Sequence, residues 1–216
     1  MNLRSKLKSG AARYFPTLGR LRKDRDGIAA IEFAFIAPIM IGLYFGMSEL
    51  AMAIMKDRSV SHATSVSGDL ATQQATLNSL DLSDVMTATL AVLDVPAAKV
   101  GLVTLELNSY EMLADGTVNQ VGYARLGPTI SAGGPATYDP SGLNSQMFNA
   151  QSGVVVARIN YQYSPVTFKF VNDFTMAETF VMKPRKSISV LFDEGGTSSF
   201  TCSAALDLKV TCTPIV

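Results

Sequence analysis

The chain has 216 residues with 18 basic and 18 acidic side chains; 48% of residues are hydrophobic and 17% charged, which excludes global disorder and leaves material for a core. Its neutrality is a sum of opposites: residues 1–27 hold eight basic and two acidic side chains, a net of +6, and the remaining 189 hold 10 and 16, a net of −6. Beyond residue 27 nothing offers phosphate a cationic surface, so no nucleic-acid partner is expected; one His and two Cys supply too few ligands for zinc, so neither metal nor cofactor is expected.

The basic leader (1–27) runs into an uncharged stretch, FAFIAPIMIGLYFGMS at 33–48, which as a helix rises about 24 Å, short of a hydrocarbon core of about 30 Å. Extended to 28–55 it is long enough, and Glu32 and Glu49 then fall near the two membrane interfaces, where a carboxylate costs far less than at the midplane. Eight basic residues precede the stretch and only Lys56 and Arg58 follow closely. The positive-inside bias therefore places the N-terminus in the cytoplasm of a single-pass membrane protein and exports the chain from about Asp57 onward. Two readings compete: a buried helix of a soluble protein, and a removable signal peptide, for which Ala51-Met52-Ala53 fits the small-x-small cleavage rule.

The junction reads Arg25-Asp26-Gly27-Ile28-Ala29-Ala30-Ile31-Glu32-Phe33. Glycine at 27 permits the extended, uncrowded backbone a membrane peptidase must engage. Cleavage after it frees an ammonium on Ile28, one helical turn before the Glu32 carboxylate. With Ala37-Pro38, Gly46 and Glu49 added, residues 27–49 resemble the N-terminal signature of TadE-type minor pseudopilins of the tight-adherence (Tad/Flp) pilus. A weaker likeness covers 161–185. The resemblance implies processing between Gly27 and Ile28 by a prepilin peptidase, and a Glu32 that neutralises the new N-terminus of a neighbouring subunit. One departure is Phe33, where major Flp pilins usually carry tyrosine; that, and the chain's length, favour the minor class.

Independently of the resemblance, Ala30, Ala34, Pro38, Gly42 and Gly46 recur every four residues, a ridge of small side chains on which Glu49 also falls. In lipid such a ridge lets helix backbones approach closely, and Glu32, roughly 100° to its side, marks a second face. Pro38 removes the hydrogen bond to the Ala34 carbonyl and loosens the helix.

The exported part is expected as a helical continuation (56–95), with 59–93 helical and a second segment capped at Ser83-Asp84, followed by a β-rich domain (96–216). His62, with no second His or Cys in reach, reads as a surface or packing residue. Period-two runs at 100–112 and 118–125 flank Asp115-Gly116, a hairpin signal. Residues 127–152, rich in Gly, Pro, Ser and Thr, read as a loop too poor in apolar residues to form core. Strands are expected at 153–163, 166–171, 174–182 and 187–192. Cys202 and Cys212, ten positions apart in a final strand-turn-strand, are expected to form a periplasmic disulfide worth about 2–3 kcal/mol.

The predicted fold is α+β and pilin-like: a long N-terminal membrane-spanning helix before an exported antiparallel sheet. Catalytic motifs of the Gly-x-Ser-x-Gly, His-Glu-x-x-His or Walker type do not occur, so no enzyme is expected. The resemblance implies a structural or assembly component of a Tad-type pilus acting in biogenesis and adherence. Its implied partners are a prepilin peptidase, other pilin and pseudopilin subunits, the inner-membrane assembly machinery and lipid, and its final location is the membrane or an extracellular filament. The alternatives are a permanently anchored envelope binding or scaffold protein, and a secreted protein released by signal-peptide cleavage.

Overall fold

A computed structural model describes residues 27–143, 145–148, 152–165 and 172–215. The basic leader up to residue 26 and the strand expected at 166–171 lie outside the described residues. The chain divides into two compact units between Ser48 and Glu49.

Helix α1, Ile28–Thr72, belongs to both units. Its part in the first unit carries an apolar surface in the open: Ile31, Phe33, Phe35, Ile36, Ile39, Met40, Ile41, Leu43, Tyr44 and Met47 are all exposed. The part in the second unit is one-sided. Glu49, Ala53, Val60, Ala63, Thr64, Ser67, Gly68 and Ala71 recur every three to four residues and are buried, the spacing of one helical face laid on a core. Small side chains on that face allow a close approach to the sheet. A Cβ at Gly68 would stand 3.1 Å from the Met182 sulfur and 3.4 Å from the Ala157 Cβ.

The helical region expected at 59–93 is broken. After Thr72 the chain forms a two-residue strand β1, Thr76–Leu77, and restarts as α2, Ser79–Leu93. The cap is Asn78, whose Oδ1 accepts from the Leu80 and Asp81 amides at 2.9 and 3.0 Å, while Asp81 accepts from the Asn78 amide at 3.2 Å. Ser83, expected as a cap, lies inside α2 instead: its hydroxyl donates to the Ser79 carbonyl and accepts from the Cys212 amide at 2.9 Å.

A short 3₁₀ turn, Ala97–Leu102, leads into the sheet: β2 Val103–Met112, β3 Val118–Leu126, β4 Gly153–Tyr163, β5 Phe174–Met182, β6 Leu191–Phe192, β7 Ser199–Ala204 and β8 Val210–Pro214. Six strands lie in the order β5-β4-β2-β3-β7-β8, antiparallel except for β3 beside β7, and β1 pairs with β6 in a separate two-stranded sheet. The expected β2–β3 hairpin is present, its turn held by Asp115, which accepts from the amide and hydroxyl of Thr117. The expected strand at 187–192 shortens to Leu191–Phe192. The α+β class with a mostly antiparallel sheet is as the sequence indicates.

Alternation gives the large sheet two different faces. Leu105, Leu107, Ala124, Ala157, Ile159, Phe200, Cys202 and Cys212 share the main core with Val60, Ala63, Leu82, Met86 and Leu90 of the helices. At the β8 edge, outward amides of Val210 and Cys212 are met by Thr87 and Ser83 of α2. Cys202 and Cys212 stand opposite one another in the β7–β8 hairpin and are joined as a disulfide.

The second face carries Thr104, Glu106, Asn108 and Tyr110 of β2, all buried although they point away from the main core. What covers them is the segment after β3, which folds back as a strap. The residues expected to form no core do contribute one: Leu143 and Phe148 bury against Tyr110, Val154 and Val156. Two well-placed apolar side chains suffice because polar anchors, described below, hold the rest of the strap down.

Candidate functional site

The residues singled out at the N-terminus are at the open end of α1. The Gly27 carbonyl accepts from the Ile31 amide at 3.1 Å, and a Cβ at Gly27 would meet nothing within 4 Å. Packing among the described residues therefore does not call for glycine there. Ile28, Glu32 and Phe33 are exposed, as are Ala30, Ala34 and Pro38, while Gly42 and Gly46 are half-buried and have open space beside them.

Glu49 parts company with that ridge. It belongs to the second unit and is 1% exposed. Burial pushes the Tyr163 phenol upward, with the Glu49 charge adding to the shift. Two turns on, Lys56 donates through Nζ to the Leu93 and Asp94 carbonyls at 2.7 and 2.8 Å, and sits 5.6 Å from the Tyr161 ring centroid. A cation thus closes the C-terminal end of α2, where carbonyls lack helical partners and the dipole is negative. Desolvation lowers the Lys56 pKa, opposed by Asp94. The positive charge near the end of the apolar stretch is a structural bolt as well as a topological signal.

A second polar constellation, which sequence reasoning missed, lies under the strap. Register places Glu106 of the central strand opposite Arg125 on one side and Arg158 on the other. Glu106 is fully buried; its Oε1 accepts from Arg125 Nη1 at 2.5 Å and its Oε2 is 4.0 Å from Arg158 Nη1. Desolvation raises the Glu106 pKa, with Arg125 and then Arg158 pulling the other way. Both arginines also hold the strap by its backbone. Arg125 donates to the carbonyls of Pro128 (3.2 and 2.6 Å) and Pro135 (2.8 Å), and Arg158 to that of Ala136 (3.1 Å). At the strap's start Gly127 has φ +100°, and a Cβ there would lie 2.3 Å from the Val103 carbonyl oxygen, so only glycine makes this turn. The visible signal was a charged residue within each of three apolar strands; the pairing required the register.

Beside this ion pair, between strap and sheet, is a cavity of about 370 Å³ bounded by Asn108, Tyr110, Gln120, Tyr123 and Tyr138 among others. A wider, largely apolar hollow of about 560 Å³ lies by Val100, Leu126 and the disulfide hairpin. His62 is exposed on α1. Among the described residues no three of His, Cys, Asp or Glu gather where a metal ion would sit.

Residues 27–68 match the model of the TadE family, described as TadE-like protein, which bears out the resemblance carried by Gly27, Glu32, Phe33, Pro38, Gly46 and Glu49. The matched segment comprises the exposed apolar part of α1 and most of its buried stripe. The family suggests a component associated with a Tad pilus and, with it, interaction with other pilus subunits. No curated protein and no solved structure matches the chain.

Proposed function

We propose, from the premise that residues 27–68 are TadE-like, that this chain is a pseudopilin-like assembly component of a Tad-type pilus, acting in pilus biogenesis and adherence. It inserts with the basic leader in the cytoplasm, is cut between Gly27 and Ile28 by a prepilin peptidase, and presents residues 49–216 on the periplasmic side. The assembly machinery and other pilin subunits then engage its helix, and the subunit stays in the inner membrane or enters the filament.

The observation that carries this reading is the coincidence of the family match with a bare apolar stretch of α1 that ends where the folded unit starts. Residues 28–48 rise about 31 Å, close to a hydrocarbon core of about 30 Å, without recourse to the stretch 49–55. The helix is long and apolar enough to cross a membrane, and its exposure fits lipid or neighbouring helices as its surroundings. Gly27 has no packing reason to be glycine, in keeping with a requirement imposed by a peptidase. Glu32 is exposed and free to meet the new ammonium of Ile28 on a neighbouring copy. Signal-peptide cleavage after Ala53 is disfavoured because it would remove Glu49 and Ala53 from the folded unit, where both are buried.

The N-terminus of membrane-extracted protein, read by sequencing and intact mass, tests the proposal. A chain starting at Ile28 is expected, Gly27→Ala is expected to accumulate precursor, and Glu32→Ala to be cut normally yet fail in piliation. An intact leader on all of the protein, or a start at Ile54, overturns it.

A further inference from the structure

The cavity under the strap has a chemical character that the pilus reading does not use. It lies between the second face of the sheet and the strap, and its volume, about 370 Å³, falls at the small end of ligand pockets, which run from about 300 to 1,000 Å³. None of its nine described lining residues carries a charge. Three are tyrosines: Tyr110 and Tyr123 from β2 and β3, and Tyr138 from the strap, with the Tyr110 and Tyr138 ring centroids 6.2 Å apart and tilted by 50°.

At its inner wall sits Asn108, 1% exposed. Its Oδ1 accepts from the exposed Gln120 Nε2 at 2.9 Å and so fixes that amide at the rim, while its own Nδ2 is out of reach of solvent. Of the neighbouring charges, Glu106 is paired with Arg125, Arg158 donates to the Ala136 carbonyl, and Asp139 accepts from the amide and hydroxyl of Ser141. Burial pushes Tyr110 up to about 12 and raises Tyr123 and Tyr138, so all three phenols stay protonated at any physiological pH and act as neutral donors.

These features narrow the ligand. An anion finds no cation among the lining residues, and a cation finds no carboxylate. A purely apolar molecule would leave the Gln120 amide and the hydroxyls of Thr137 and Ser199 unanswered. A neutral molecule with one apolar face to lie on tyrosine, and hydroxyls that donate and accept at its rim, satisfies every wall. That is the chemistry of a sugar ring.

We propose that the cavity formed by Asn108, Tyr110, Gln120, Tyr123 and Tyr138 is a binding site for the neutral terminal sugar of a glycan. The hexose rests against the strap's Tyr138, and its hydroxyls bond the Gln120 amide, held in place by Asn108, and the tyrosine hydroxyls. The site rests on the folded unit alone, so it stands or falls independently of processing at Gly27.

The chain has no tryptophan, so its fluorescence comes from its seven tyrosines, three of which line the cavity. Full-length protein in a detergent without a sugar headgroup is titrated with glucose, galactose, mannose and N-acetylglucosamine, followed by fluorescence and calorimetry, with glucuronic acid and inorganic phosphate as charged comparators. Saturable binding of at least one neutral sugar is expected, weakened about tenfold or more by Tyr138→Ala, which corresponds to about 1.4 kcal/mol. Gln120→Ala, at an exposed position whose loss leaves the fold intact, is expected to weaken binding as well and keeps the test decisive if Tyr138→Ala unfolds. No binding of any of the four sugars overturns the proposal. So does binding undiminished in both variants, or glucuronic acid or phosphate binding as tightly as the neutral sugars.

Discussion

Glu106 sets the balance on the second face of the sheet. Its carboxylate is buried with Arg125, whose remaining donors hold two strap carbonyls. Removing one partner of such a pair leaves the other charge stranded, so Glu106→Ala is expected to destabilise the folded unit by about 3–5 kcal/mol in denaturant titrations of the full chain. Glu106→Gln keeps an acceptor for Arg125 and should cost less, but it changes the pH dependence. The Glu106 pKa is raised chiefly by desolvation. Between the ordinary glutamate value and the raised one, the folded chain therefore binds more protons than the unfolded chain. This carboxyl's contribution to stability is greatest below that window and declines as pH rises through it. The Gln variant should lose that declining limb, and a stability profile unchanged between wild type and Glu106→Gln would contradict the assignment. None of this was legible beforehand, because a glutamate between leucines reads as one outward-facing residue until a strap is known to cover it.

At the scale of elements, local signals decided what existed, and competing signals decided where it ended. Strands β4 and β5 and the hairpin turn of β2–β3 lie where alternation and Asp-Gly placed them. The helical stretch at 59–93 shows the limit: helix propensity continues through 73–78, yet the chain breaks there to pair Thr76–Leu77 with Leu191–Phe192, a partner more than 110 positions away. The restart depends on Asn78 and its capping box, so Asn78→Ala is expected to lower stability by about 0.5–2 kcal/mol. The measurement is the thermal midpoint, and Ser83→Ala is an unsuitable comparator because its hydroxyl serves the β8 edge. Residues 127–152 show the opposite error. Low apolar content suggested a bare loop, but Gly127, two arginines and the pair Leu143 and Phe148 make it a lid over the sheet. Non-periodic packing of this kind leaves no trace in a periodicity argument.

For the whole molecule the decisive boundary is between Ser48 and Glu49. The apolar run read along the chain ends near Met55, because hydropathy cannot tell a side chain facing lipid from one facing a protein core. With residues 28–48 as the span, the full chain should remain in the membrane pellet after alkaline carbonate extraction. The double substitution of Ile39 and Ile41 by lysine, both exposed and central to the span, should release it. Retention of the doubly substituted chain would mean that the folded unit itself holds the protein to the membrane.

The sequence by itself determined the two-part plan. Charge asymmetry, apolar run length, the Gly27–Glu32 spacing, the alternating strands and the cysteine pair are all local or additive properties, and they pointed to an α+β chain with a long N-terminal apolar helix and a TadE-like segment. Only the tertiary structure decided which residues of α1 belong to the folded unit, that Lys56 closes the end of α2, and that Glu106, Arg125 and Arg158 meet beneath a strap enclosing a neutral, tyrosine-lined cavity. Those outcomes depend on strand register and on contacts between distant segments, where a single position of slip turns every side chain to the other face.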